Sequence, residues 1–140
     1  MAIVVDASVA LAWVLDDTDD NHRYSYEVAR LAHEGRQLLL APSVFLCEVT
    51  YTLLRRGRAG RWGHALIEER AELIDVFRVR LIESTASVPA MARFALRHNV
   101  QGFDAFYLAL ALSAGAQLAT LDGGLRSAAR RAGVELFTPA

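Results

Sequence analysis

The sequence predicts an α/β fold with a mainly parallel sheet, because short apolar runs alternate with longer runs of helical period along 140 residues. The first short run, 3–5, is entirely β-branched, as expected of a buried strand. The length fits a single domain, 1–140, with one core. The other predicted strands are 38–41, 79–82, 117–120 and 134–137.

Helices are predicted between these strands, and residues typical of helix caps and helix ends lie at their boundaries. Ser43 follows Pro42 and is expected to cap the third helix. Four glycines, at 35, 57, 115 and 133, fall just past helical runs, where a left-handed residue ends a helix. Helices alternating with strands are expected to cover both faces of the sheet. The predicted helices are 8–16, 20–34, 43–56, 61–76, 88–98, 103–114 and 123–132.

The composition excludes several classes of protein. Hydrophobic residues make up 54% of the chain, so a sizeable core is expected. All fifteen basic residues are arginine, which excludes a catalytic lysine and weighs against a phosphoacceptor receiver-like domain. Cys47 is the single cysteine, so neither an internal disulfide nor a thiolate zinc site is expected. No apolar run approaches the length of a membrane span and no secretory signal is evident, so we expect a cytoplasmic protein.

Four acidic residues stand out by their positions. Asp6, Asp104 and Asp122 lie where an apolar run meets a helical run, and Glu48 lies on a largely apolar helix face. An ionised carboxylate is costly to bury without a partner, so four of them suggest a shared divalent cation. Asp6 and Asp122 also fall at or just past the carboxyl ends of predicted strands, where parallel sheets bind ligands. These acids predict metal-dependent chemistry on a phosphate ester.

Each acid taken alone also has a structural explanation. Asp6, Asp104 and Asp122 are each placed to cap a helix or to favour its N-terminal dipole. Glu48 is placed to form a buried ion pair with Arg55, two turns along the same helix. Separate structural roles give no reason for the acids to coincide with strand ends, so we favour one shared acidic site.

Other catalytic patterns are missing from the sequence. The four histidines occur at unrelated positions without metal-ligand spacing, and we expect them to be surface or partly buried residues. Ser8 has no G-x-S-x-G context, which disfavours a serine hydrolase. Neither a Walker loop nor a G-x-G-x-x-G pattern is found.

At the acidic residues the chain resembles a PIN-domain ribonuclease, specifically the VapC-type toxin branch of toxin–antitoxin pairs. The matching segments are VVDASV at 4–9, APSVFLCEVTYTLLRR at 41–56, FDAFYLALAL at 103–112 and LATLDGGLRSAARRAGV at 118–134. The resemblance implies a PIN-like α/β/α sandwich, with a mainly parallel sheet of four or five strands and about seven flanking helices.

The resemblance also implies roles for individual residues. Carried over one residue at a time, the catalytic and metal-binding acids fall on Asp6, Glu48, Asp104 and Asp122. Ser8 and Thr120 are expected to hydrogen-bond the ligands or the substrate. Hard oxygen donors select Mg²⁺, with Mn²⁺ as a substitute. The implied activity is hydrolysis of RNA phosphodiester bonds by the toxin of a type II toxin–antitoxin system.

Two other functions fit the same residues. One is a PIN nuclease that processes RNA without an antitoxin, and the other is a non-catalytic PIN-like binding module that uses the acids structurally. The toxin interpretation implies a homodimer and a cognate antitoxin protein. We expect the antitoxin groove on helices 8–16 and 43–76, with Trp13, Phe45 and Trp62.

The densest basic run predicts an RNA contact. It consists of Arg55, Arg56, Arg58 and Arg61 and is followed by Trp62, whose ring is able to stack on a base. A solvated turn between two helices is the alternative. The acidic run from Asp16 to Asp20 is expected to be a solvated loop that ends in a helix cap at Asp19 or Asp20.

Overall fold

A four-stranded parallel sheet forms the centre of the computed structural model, which describes residues 1–140. The strand order is β3-β2-β1-β4, and each of the three neighbouring pairs is parallel. The predicted α/β class with a mainly parallel sheet is confirmed. The strands are β1 (Ala2–Val5), β2 (Leu38–Pro42), β3 (Arg80–Ile82) and β4 (Gln117–Ala119).

Seven helices surround the sheet in the predicted order. The first is shorter than predicted, because it ends at Leu11 and the chain then turns. None of the helices is long and apolar enough to span a membrane. The helices are α1 (Ala7–Leu11), α2 (Asp19–His33), α3 (Val44–Ala59), α4 (His64–Asp75), α5 (Val88–His98), α6 (Asp104–Ala114) and α7 (Gly123–Ala132).

The predicted fifth strand, 134–137, is reduced to a single bridge between Leu118 and Leu136. Two hydrogen bonds form it: the Leu118 amide donates to the Glu135 carbonyl at 3.0 Å, and the Phe137 amide donates to the Leu118 carbonyl at 2.9 Å. Because the pairing involves Leu118 alone, the apolar run packs against the sheet without extending it.

Most predicted helix ends are confirmed, and two are wrong, while Ser43 lies at the N-cap position of α3 but its side chain makes no capping hydrogen bond. Gly35, Gly115 and Gly133 adopt positive φ angles of 69°, 58° and 78° just past their helices. Gly57 instead lies inside α3, which continues to Ala59. The second correction concerns α2: Thr18, rather than Asp19 or Asp20, is its cap, and its side chain accepts a hydrogen bond from the Asn21 amide at 3.2 Å.

The core surrounds β1, which is an inner strand of the sheet and has Ile3, Val4 and Val5 fully buried. Trp13 also belongs to this core, since its ring packs on Phe77 with centroids 4.8 Å apart. Its place in an antitoxin groove stays a prediction. The inner position of β1 places the residue that follows it, Asp6, in the middle of the carboxyl edge of the sheet.

Candidate active site

The four predicted acids come from four elements that meet at the carboxyl edge of the sheet. Asp6 directly follows β1, and Asp122 lies three residues beyond the end of β4. These two strands are hydrogen-bonded neighbours, and the Asp6 amide continues their ladder by donating to the Ala119 carbonyl at 2.9 Å. Asp104 begins α6, and Glu48 projects from the second turn of α3.

Asp6 is the most deeply buried of the acids, with 6% of its surface exposed. Its Oδ2 accepts hydrogen bonds from Ser8 Oγ at 2.6 Å and from Thr120 Oγ1 at 2.8 Å. Although Asp6 precedes α1, its side chain makes no capping hydrogen bond. Burial raises the pKa of Asp6 above its usual range, and the two hydroxyl donors only partly offset that effect. Capping therefore does not explain this aspartate.

The two hydroxyls are themselves held by the backbone of the β4–α7 loop. Ser8 Oγ accepts from the Leu121 amide at 3.1 Å, and Thr120 Oγ1 accepts from the Asp122 amide at 3.0 Å. Each hydroxyl thus accepts from an N–H group and donates its proton to Asp6. The predicted hydrogen-bonding roles of Ser8 and Thr120 correspond to these contacts with the carboxylate.

Asp122 has two simultaneous roles in the structure. Its Oδ2 accepts from the Leu125 amide at 3.0 Å and so caps α7, as the local pattern predicts. The same side chain lies near Asp104, because its charge is the largest cause, after burial, of the raised pKa of Asp104. Capping and participation in the acidic cluster are therefore compatible.

Glu48 has a different partner from the one predicted. Its Oε1 accepts a hydrogen bond from the Tyr107 hydroxyl at 2.8 Å, and no ion pair with Arg55 is formed. The Arg55 guanidinium instead lies over the Tyr51 ring, 5.9 Å from its centroid. Burial and the charge of Asp6 raise the pKa of Glu48, while the Tyr107 hydroxyl lowers it.

Tyr107 is a site residue that the sequence analysis missed. It is fully buried, and a buried hydroxyl needs a hydrogen-bond partner. Its position three residues after Asp104 places both side chains on one face of α6. A tyrosine at that spacing, bearing the one hydroxyl in the apolar run 105–112, was a usable signal.

Electrostatic repulsion is concentrated on Asp104. Its pKa is raised to about 6, chiefly by burial and then by the charges of Asp122, Asp6 and Glu48, in that order of importance. All four acids are therefore near enough to affect a single titration. A cation placed among them would relieve the repulsion and compete with the proton for the same oxygens.

The donor set fits a hydrated divalent cation. No three histidine, cysteine, aspartate or glutamate side chains are arranged closely enough to hold a metal ion by themselves. Mg²⁺ does not require such a cage, because it keeps several waters and uses one or two carboxylates. The four acids of the cluster satisfy that requirement, because all of their donors are carboxylate oxygens.

The predicted basic run is divided between separate surfaces. Arg56 lines a cavity of about 340 Å³ whose wall also includes Ser8 and Asp122. Arg58 and Arg61 line a different cavity of about 400 Å³, together with Trp62. Arg56 is thus the arginine of this run that shares a cavity with one acid of the cluster, Asp122.

Comparison with protein families identifies the fold. The family model of the PIN domain matches residues 3–131. The chain belongs to the PIN domain family. PIN-domain proteins are nucleases that generally use divalent metal ions, and the predicted PIN-like α/β/α architecture is confirmed. The search among curated proteins found no match.

Two solved structures resemble this PIN domain. PAE2754 from Pyrobaculum aerophilum has a TM-score of 0.66 and 20% identity, with 91% of this chain and 79% of that chain covered. VapBC2 from Rickettsia felis, bound to a DNA fragment from its own promoter, has a TM-score of 0.67 and 12% identity. That comparison covers 98% of each chain. At these identities the likeness shows the shared fold.

Proposed function

We propose that this PIN-domain protein is a metal-dependent endoribonuclease that hydrolyses RNA phosphodiester bonds. The observation that carries the proposal is the convergence of four carboxylates from four elements, in which the pKa of Asp104 is raised to about 6 by burial and by the charges of the other three acids. Membership of a nuclease family supports the reaction class. Mg²⁺ is the proposed cofactor, with Mn²⁺ as a substitute.

The residues of the cluster have distinct proposed roles. A bound divalent ion supplies an activated water and stabilises charge on the phosphate oxygens. Asp6 and Asp104 bind the ion, and Asp122 binds it directly or through water. Glu48 binds the ion or orients the attacking water. Ser8 and Thr120 hold the Asp6 carboxylate in place, because both hydroxyls donate to its Oδ2.

The RNA backbone is proposed to approach along the cavity that contains Arg56. Its guanidinium is suited to a bidentate contact with a phosphate, and its cavity reaches Ser8 and Asp122. Thr52 and Asn21 add polar groups to the same wall. Arg55, Arg58 and Arg61 remain predicted RNA contacts. Arg55 and Arg58 flank Arg56 on α3, and Arg61 lies in the turn that follows it.

Cleavage of a labelled single-stranded RNA in Mg²⁺ tests the proposal. Asp104→Asn should reduce the rate by about 100-fold or more, since loss of the metal's charge stabilisation costs several kcal/mol. Asp19→Asn, at an exposed position in the first turn of α2, is the matched control and should retain activity. Equal rates for Asp104→Asn and wild type, or undiminished cleavage in EDTA, would contradict the assignment. A DNA strand of the same sequence tests the preference for RNA.

The toxin assignment has its own structural support. One support is the similarity of the fold to VapBC2. The other is a mainly apolar groove of about 380 Å³ between α3 and α4. Phe45, Val49 and Ile74 line this groove, which fits the apolar face of an antitoxin helix. Trp62 lies in the adjoining cavity, so Phe45 and Trp62 remain candidates for antitoxin contact.

Induced expression in a heterologous bacterium separates the toxin from the alternatives. We expect growth arrest with wild type, none with Asp104→Asn, and rescue by the protein encoded beside this gene. RNA cleavage without growth arrest would favour an RNA-processing nuclease instead. Retained Mn²⁺ binding without any cleavage would favour a binding module.

A homodimer in the cytoplasm completes the proposal. Helix α5 has no buried residue, and its Val88 and Leu96 are 83% and 81% exposed. Exposed apolar side chains on one helix are typical of an association surface. Light scattering should therefore give twice the chain mass of 15.4 kDa, and a value of 15.4 kDa would exclude the dimer.

A further inference from the structure

Tyr107 is buried in the core with its hydroxyl directed at the acidic cluster. The ring lies on α6 and is fully buried, and the hydroxyl donates to Glu48 Oε1 at 2.8 Å. The two residues are 59 positions apart and come from different helices. One turn earlier, the same helix begins with Asp104. Helix α6 therefore supplies one carboxylate of the cluster and fixes another.

Packing by itself does not account for a tyrosine at this position. Phenylalanine would fill the same space, and burying a hydroxyl is unfavourable unless it is hydrogen-bonded. The partner is a half-buried carboxylate rather than a backbone carbonyl, so the bond orients a functional group. The ordinary pKa of a tyrosine hydroxyl is about 10, so the phenol is a proton donor at neutral pH.

Glu48 needs such a restraint because its side chain is long and forms no ion pair with an arginine. A glutamate loses considerable rotamer freedom when it is fixed for ligand binding. The hydrogen bond to Oε1 fixes the side chain before a ligand binds, so less rotamer freedom is lost on binding. Oε2 remains available to a cation or water. Ser8 and Thr120 restrain Asp6 in a comparable way, with two hydroxyl donors on a single oxygen.

We propose that Tyr107 is a positioning residue that preorganises Glu48 for cation or water binding. The inference rests on the proposed function, because it assigns a purpose to the orientation of one of the four acids. Residues that orient a metal ligand typically contribute about 10–100-fold to metal affinity.

Calorimetric titration of the full chain with Mn²⁺ tests this role without measuring cleavage. Tyr107→Phe keeps the ring and should weaken Mn²⁺ binding by about 10-fold or more. Glu48→Asp keeps the carboxylate but withdraws it from the hydroxyl, and should show a similar loss. Tyr24→Phe is the control: it loses a hydroxyl bond to the Phe137 carbonyl, at 3.0 Å, and should bind Mn²⁺ like wild type.

A double-mutant cycle shows whether Tyr107 acts through Glu48. In a Glu48→Ala background, Tyr107→Phe should cause no further loss of Mn²⁺ affinity. An equal loss in both backgrounds would overturn the positioning role and indicate a general structural effect. Wild-type affinity in Tyr107→Phe would also overturn it, while leaving the proposed nuclease intact. Absence of Mn²⁺ binding by wild type would instead overturn the proposed function itself.

Discussion

At the scale of single residues, Asp6 is held in place by two hydroxyl groups, those of Ser8 and Thr120. It is one of three buried polar or charged residues, and Thr120, which donates to it, is another. Thr120 is fully enclosed and uses its single hydroxyl twice, as a donor to Asp6 and as an acceptor from the Asp122 amide. One side chain therefore connects two acids of the cluster.

Thr120→Val should disturb both acids while keeping the shape of the side chain. The change removes one donor from Asp6 and leaves the Asp122 amide without its acceptor. We expect the free energy of unfolding to fall by about 1–3 kcal/mol, because buried polar groups lose their partners. We also expect Mn²⁺ affinity to fall by about 10–100-fold. Urea denaturation and calorimetry measure the two effects.

Thr50→Val on the exposed side of α3 is the control for this exchange. It makes the same chemical change where water can solvate the groups left behind, so the free energy of unfolding should change by less than about 0.5 kcal/mol. If Thr120→Val behaved like this control in both measurements, the threonine would have no role in the cluster.

At the scale of elements, the contact between α3 and α4 depends on Gly57. A Cβ atom at this position would lie 2.9 Å from both Cγ1 and Cδ1 of Ile67 and 3.4 Å from the Trp62 ring. The missing side chain allows the two helices to approach closely. This approach shapes the end of α3 that carries Arg56 and closes one side of the apolar groove.

Gly57→Val should therefore be destabilising despite the low helix propensity of glycine. The branched side chain would force Ile67 and the Trp62 ring to move, and overpacking of this kind costs about 1–3 kcal/mol. Gly123→Ala, at a helical position where an added Cβ meets nothing within 4 Å, should be neutral or slightly stabilising. Thermal denaturation of both variants checks the difference, and equal melting temperatures would contradict close packing at Gly57.

At the scale of the whole molecule, the acidic cluster opposes folding when no cation is bound. Asp104 has a folded pKa of about 6 against an ordinary value of 3.8, so the folded state binds its proton more tightly than the unfolded state does. The contribution of this carboxyl to stability is greatest below pH 3.8 and declines as pH rises to about 6. Burial raises the pKa of Asp6 and Glu48 in the same direction.

Asp104→Asn removes this contribution, because an amide side chain does not titrate in this range. In EDTA, the stability of the variant relative to wild type should be higher at pH 7 than at pH 5. With Mn²⁺ at about 100 times its dissociation constant, wild type should gain about 2.7 kcal/mol at pH 7 and the variant much less. Urea denaturation at both pH values measures these differences. A constant difference between the two proteins in EDTA would contradict the raised pKa.

The sequence by itself determined the features that depend on near neighbours along the chain. The spacing of hydrophobic residues correctly predicted four strands and seven helices. The glycines at 35, 115 and 133 marked helix ends because left-handed backbone favours glycine. The four acids were found in the same way, since each interrupts a local pattern. Asp122 shows the limit of such reasoning, because its capping role and its place in the cluster are both present.

Only the tertiary structure decided which distant groups meet. Glu48 has Tyr107 rather than Arg55 as its partner, Gly57 continues a helix because Ile67 packs against it, and Trp13 is enclosed by the core. The basic run is divided because successive helical positions face different directions. Contacts between remote elements depend on how helices pack on the sheet, and this packing depends on the shape of the whole core rather than on any local pattern.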